Sequence, residues 1–269
     1  MTARPSLFVK GNADVCDPLY GLRIRGQTMW NGVNAVLRDV ARSGGVRVRH
    51  ETSTGFAALL SAEGTSPADV ESRAGLFGPF SPQCQFSSAF YAPGHTAVVL
   101  SIQGDVCVPM LRHRESGALL HPYNCMAWPL ADLEWLQRNC VPLQRCSAED
   151  SMQHLLGVIE RFRQVNDAPI LVSNLSTVTP GETVHAYLGI DESYAQRVRR
   201  FNVALVDAAM QVDFSIVDVE RIVATGGART LLTDAIHLSA EGCRAVAGEV
   251  VRILDDYGVL PEAACASPS

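Results

Sequence analysis

Two side chains late in the sequence have the types and spacing for proton transfer. Asp234 and His237 form a D-x-x-H pair inside residues 233–244, TDAIHLSAEGCR. A carboxylate three residues before an imidazole can accept the ring Nδ1–H, fix the tautomer and stabilise the imidazolium. Nε2 is then left free as a general base. The same pair also occurs in helix-entry loops, where Asp caps and His packs. Here Leu238, Ser239, Glu241 and Gly242 follow directly, and that context favours the chemical use.

A base needs a target within hydrogen-bond or one-water reach. In an open parallel sheet, ligands bind beyond the carboxyl ends of the strands. Just past the expected strands stand Lys10, Gly11, Asn12, Ala13 and Asp14, then Gln103, Gly104 and Asp105, then Ser173 and Asn174. With Asp234 and His237 before the closing helix, these groups should meet on one rim. Lys10, Asn12, Asp14, Asp105 and Asn174 are the expected substrate-binding side chains.

The elements that must position them alternate along the chain. Strands are expected at 6–10 (SLFVK), 46–50 (VRVRH), 97–102 (AVVLSI), 169–174 (PILVSN) and 214–219 (FSIVDV). Helices are expected at 31–41, 151–165, 194–210 and 239–254, the last with Ser239 at its N-cap and Glu241 in the first turn. Strands alternating with helices argue a three-layer α/β/α sandwich around a parallel five-stranded sheet of flavodoxin-like order. Residues 1–260 read as one domain and 261–269 as a flexible tail. Residues 107–146 break the alternation and read as an insertion, either a lid or substrate wall, or a helical subdomain packed on the core.

The chain has 269 residues, 47% of them hydrophobic and 19% charged. That composition excludes collagen-like, coiled-coil and disordered classes. A net charge of -6 argues against a nucleic-acid partner. No apolar run reaches the roughly 18 residues of a membrane span, so a small-molecule substrate is the expected partner. The first residues hold no apolar stretch of signal-peptide length, which makes the cytoplasm the expected compartment. The eight cysteines form no C-x-x-C pair and read as reduced, buried thiols.

D-x-x-H-L-S-x-E-G before a C-terminal helix resembles the last motif block of the SGNH (GDSL-type) hydrolase superfamily. Gly11-Asn12-Ala13-Asp14 after the first strand is similar to that family's first block, G-D/N-S. The helix holding Phe201-Asn202-Val203 and the strand ending Val217-Asp218-Val219 resemble its penultimate unit. The resemblance implies a hydrolase or acyltransferase acting on an ester or acyl group of a small molecule, with His237 as base and Asp234 as orienter. It also implies backbone N–H groups near Ala13, with Asn174, as the oxyanion hole. The family's nucleophilic serine falls on Ala13, its second-block glycine falls loosely on Gly44 or Gly45, and its G-x-N-D block on Gln103-Gly104-Asp105.

Ala13 leaves three readings open: a substitution made for serine, a natural variant in which His237 activates water or a substrate hydroxyl, and a non-catalytic binding protein that kept the fold. Cys16 and Cys107 lie near the rim and could act as nucleophile, although burial as small apolar residues is favoured. Lys10, the only lysine in the sequence, either positions an anionic substrate group or pairs with Asp14 or Asp17. His113, His121, Arg112 and Arg114 could meet an acidic substrate, although a solvated face is the favoured reading. Asp14, Asp105, Asp234 and His237 together offer the ligands of a divalent cation, but no spacing motif supports one, and no metal or cofactor is expected.

Overall fold

A computed structural model describes residues 4–40, 45–178 and 192–260. Five strands build the central sheet: β1 (Ser6–Lys10), β2 (Arg47–Glu51), β3 (Ala97–Ser101), β4 (Ile170–Ser173) and β5 (Ser215–Val217). All neighbours are parallel and the spatial order is β5-β4-β3-β1-β2. The first connection steps one way along the sheet and the later ones the other way. That creates the reversal point where open α/β sheets bind ligands.

The apolar runs of β1 and β3 bury both faces because each face carries helices. Leu7 and Val9 point into one core with Val99, Leu171 and Val217. Phe8 points the other way, with Val98, Leu100, Ile170 and Val172. The first layer is closed by α1 (Ala13–Leu19), α2 (Val33–Asp39) and the closing helix α5 (Ala240–Asp256). The second is closed by α3 (Ala148–Arg163) and α4 (Tyr194–Ala209). Serine side chains start all three long helices. Ser147 accepts from Asp150 N–H, Ser193 forms a capping box with Gln196, and Ser239 accepts from Gly242 N–H as its sequence position implied.

Residues 107–146 contain a three-stranded antiparallel sheet, Leu119–Leu120, Leu111–His113 and Cys140–Pro142 in spatial order, and a helix Leu130–Asn139. They share an apolar cluster of Leu120, Trp128 and Trp135 with Val70, Phe77 and Phe86 from outside the segment. The segment is thus mixed in secondary structure, and its strands of two or three residues give too little alternation to read in the sequence. His113 is buried rather than solvated, with Nδ1 at Ser116 Oγ (2.9 Å) and Nε2 at Asp69 Oδ2 (3.1 Å). His121 is likewise engaged, its Nδ1 2.8 Å from the Pro109 carbonyl, and burial lowers its pKa. The tail 261–269 lies outside the described residues. Among the described residues no helix is long and apolar enough to cross a membrane.

Candidate active site

The rim is assembled from three loops that touch. β1 ends at Lys10, and Gly11 donates its N–H to Glu51 O at 3.1 Å. A Cβ on Gly11 would stand 2.3 Å from Val15 Cγ2 and 3.1 Å from Ser101 Cβ. Glycine here lets α1 turn tightly over the strand ends. Asn12 is the N-cap of α1, and its Oδ1 accepts the Ser53 N–H at 3.2 Å. Gly55 follows β2 with φ of +143°, a backbone that favours glycine. A Cβ on Gly104 would stand 2.9 Å from Gly55 N. The rim glycine of the second strand is therefore Gly55, not Gly44 or Gly45, which lie before that strand.

Two acids of this rim are buried. Asp14 accepts from the Ser101 hydroxyl, and Ser101 Oγ in turn accepts from Gln103 N–H at 2.9 Å. Burial pushes the Asp14 carboxyl up to about 6, against the Ser101 contact and the backbone N–H groups of Asn12, Asp14 and Val15. Its Oδ1 is buried with no hydrogen-bond partner among the described residues. Asp105 accepts from Phe56 N–H at 2.9 Å, and burial raises it to about 7. At neutral pH it is thus not held as a fixed anion. Gln103 is buried, and its side-chain nitrogen has no hydrogen-bond partner among the described residues.

Two expected substrate groups are occupied by the fold. Lys10 pairs with neither Asp14 nor Asp17. It is buried, 3.2 Å from Glu51 Oε2, with Nζ also donating to the Cys84 carbonyl at 2.6 Å. Burial lowers its pKa, and Glu51 opposes the shift. The Asn174 carboxamide donates to Asp218 Oδ1 at 2.9 Å and accepts from Glu220 N–H at 3.1 Å. Its oxygen and one of its two N–H groups thus tie β4 to the segment after β5.

Asp234 and His237 meet as their spacing implied. Asp234 Oδ2 lies 2.8 Å from His237 Nδ1, and Oδ1 accepts the backbone N–H groups of Ile236 and His237, each at 2.8 Å. A bridge between Leu232 and Leu238 and the bond from Thr233 N–H to His237 O (2.9 Å) close the loop. This geometry suits Nδ1–H as donor and Nε2 as the basic nitrogen. Burial alone would raise the Asp234 pKa. The two N–H donors and the His237 ring outweigh it and hold the carboxyl below its ordinary value. The two side chains are half exposed, at 51% and 57%.

Burial raises the Asp17 carboxyl and the His237 charge opposes that shift, so the ring acts electrostatically on α1. Asp17 stands four residues after Ala13, on the same helical face. The sequence offered Asp17 only as a partner for Lys10. Cys16 is poorly suited to act as nucleophile, since burial and the Asp17 and Asp14 charges push its thiol up to about 12. Cys107 points its sulfur at the Tyr194 hydroxyl, 3.8 Å away. Among the described residues no three His, Cys, Asp or Glu side chains come together to hold a metal.

No family model and no curated protein sequence matches the chain. Solved structures do. LAE5, an alpha/beta hydrolase enzyme from the metagenome of Lake Arreo, Spain, aligns over 95% of this chain and 97% of its own, with TM-score 0.50 and 12% identity. A member of the lipolytic G-D-S-L family from Veillonella parvula DSM 2008 aligns over 93% and 98%, with TM-score 0.48 and 11% identity. The salicylyl-acyltransferase SsfX3 from a tetracycline biosynthetic pathway aligns over 97% of this chain and 57% of its own, with TM-score 0.47 and 12% identity. Only the first is near enough to bear on architecture. The chain has a three-layer α/β/α fold, and it shares that architecture with LAE5.

Proposed function

We propose that this protein is an SGNH-like hydrolase or acyltransferase acting on an ester or acyl group of a small molecule, with no serine nucleophile. His237 Nε2 takes a proton from water or a substrate hydroxyl as that oxygen attacks the acyl carbon. Asp234 holds the tautomer and stabilises the imidazolium. The bond to the leaving oxygen then breaks, and His237 returns the proton to it. Backbone N–H groups around Ala13 hold the developing oxyanion.

The observation that carries this reading is the Asp234–His237 pair, 2.8 Å apart with the carboxylate locked by two further N–H donors. Its test is cleavage of p-nitrophenyl acetate. Turnover should fall by about 10²- to 10⁴-fold in His237→Ala, the usual span for a positioned acid–base group. Ala13→Ser should raise turnover, and the gain should vanish when His237→Ala is added. Turnover indifferent to His237→Ala, or absent in every form, would sink the proposal and leave the non-catalytic binding protein, which the absence of a nucleophile at Ala13 favours next.

A further inference from the structure

The turn between strands Leu111–His113 and Leu119–Leu120 brings a hydroxyl, an imidazole and a carboxylate into one chain of contacts. Gly117, at a φ of +72°, donates its N–H to the His113 carbonyl at 2.9 Å and closes the turn that carries Ser116. Ser116 Oγ lies 2.9 Å from His113 Nδ1. On the other side of the ring, His113 Nε2 lies 3.1 Å from Asp69 Oδ2. Trp135 Nε1–H donates to the same carboxylate oxygen at 3.1 Å, and its ring lies 25° from the plane of the imidazole. The imidazole is buried, whereas Ser116 is exposed.

The tautomer follows from the donors around the ring. The Ser116 backbone N–H meets Nδ1 at 3.3 Å, which requires an unprotonated Nδ1. The ring proton is then on Nε2, where the Asp69 carboxylate accepts it. Ser116 Oγ accepts the Ala118 N–H at 3.3 Å, and its own proton is free to go to Nδ1. A hydroxyl on a base that is itself oriented by a third group is the arrangement that activates a serine.

Ser116 also lines a cavity of about 470 Å³, within the size range of small-molecule sites. Ser61, Thr65, Ser66 and Phe86 line it too, and Glu63 is its one charged lining residue. Such a lining suits an uncharged reactant and disfavours an anion.

We propose that Ser116 is a second nucleophilic centre, which takes the acyl group of an uncharged activated ester with His113 as its base and Asp69 orienting the ring. The Ser116 Oγ–C bond forms as the proton passes to His113 Nδ1, and the bond from the acyl carbon to the leaving oxygen breaks. The proton then goes to that oxygen, or to water when a phenolate leaves. Asp234 and His237 take no part, so this centre stands or falls apart from the hydrolytic site proposed above.

The probe is p-nitrophenyl acetate, applied to the His237→Ala variant, with adducts mapped by peptide mass spectrometry after acid quenching. Ser61 is the internal reference. It is exposed in the same cavity, but its hydroxyl is turned to the Ala57 and Ala58 carbonyls, at 3.0 and 3.2 Å, and meets no imidazole. Acetyl should appear on Ser116 at least about a hundredfold faster than on Ser61, the lower end of what a positioned base supplies. Asp69→Asn removes the charge and the preference for Nε2–H, and should slow Ser116 by roughly 10²- to 10⁴-fold while Ser61 keeps its rate. The Asp69 side chain is 39% exposed, so the variant should keep its melting temperature. The comparison of Ser116 with Ser61 needs no change at Asp69 and decides by itself if that variant does not fold. No adduct on Ser116, equal rates at the two serines, or a folded Asp69→Asn that labels Ser116 as fast as before would each overturn the proposal.

Discussion

Asp234 and Asp14 are the same side chain in opposite settings. Asp234 stands half in water at 57% exposure, meets an imidazole and two N–H donors, and is held below its ordinary pKa. Asp14 is buried at the head of α1 with a serine hydroxyl as its hydrogen-bond donor, and is pushed up to about 6. Asp105, also buried, goes up to about 7. Burial raises all three. Only where donors and a cation outnumber it does the charged form prevail. The dyad is therefore built to carry charge. The rim acids are built into the packing of the strand ends.

Asp234→Asn attacks the first half of that contrast and carries the largest expected effect. It keeps the shape but removes the charge and the preference for Nδ1–H. Ester cleavage should fall by roughly 10²- to 10⁴-fold with an unchanged melting temperature. A variant that keeps its rate would mean that the carboxylate does not orient the ring.

The second half is read in stability against pH. The folded chain keeps the Asp14 and Asp105 protons to about 6 and about 7, whereas carboxyls in the unfolded chain lose theirs near 3.8. The folded state thus binds more protons across that window, so stability declines as pH rises from about 4 toward 7, by on the order of a few kcal/mol. Denaturant midpoints should show that slope, and the double variant Asp14→Asn with Asp105→Asn should flatten it. An equal slope in the variant would place both acids in contact with water.

Gly104→Ala probes the contact between the loops themselves. Its new Cβ would stand 2.9 Å from Gly55 N and 3.0 Å from Thr54 C, both backbone atoms. Overpacking of this kind costs about 1–3 kcal/mol, visible as a lower melting temperature. No change would mean that the two loops separate freely. The smallest effect is at Cys16. With its thiol pushed up to about 12, iodoacetamide should label it far more slowly than a free thiol at mildly alkaline pH.

Much of this was legible in the sequence, and for physical reasons. β1, β3 and β4 are covered on both faces, so they show as unbroken apolar runs. The D-x-x-H pair is local, so its geometry follows from its spacing. What depends on distant partners was not legible. Lys10 meets Glu51 because β1 and β2 pair in register at their last residues, and single-strand patterns do not contain register. Gly55 matters because Gly104 lies against it. Asn174 was expected to serve a ligand, and its ties to Asp218 and Glu220 after β5 were not readable from its own strand. Helix α1 escaped notice because it has only seven residues with Pro18 inside.

The burial of Lys10 has a practical corollary. It is the only lysine in the sequence, and its amine is enclosed between Glu51 and the Cys84 carbonyl. Acylating reagents that modify lysine should therefore find no side chain to react with while the sheet is intact. Once β1 and β2 part they should find one, which makes the appearance of that single adduct a built-in clock for the opening of the sheet.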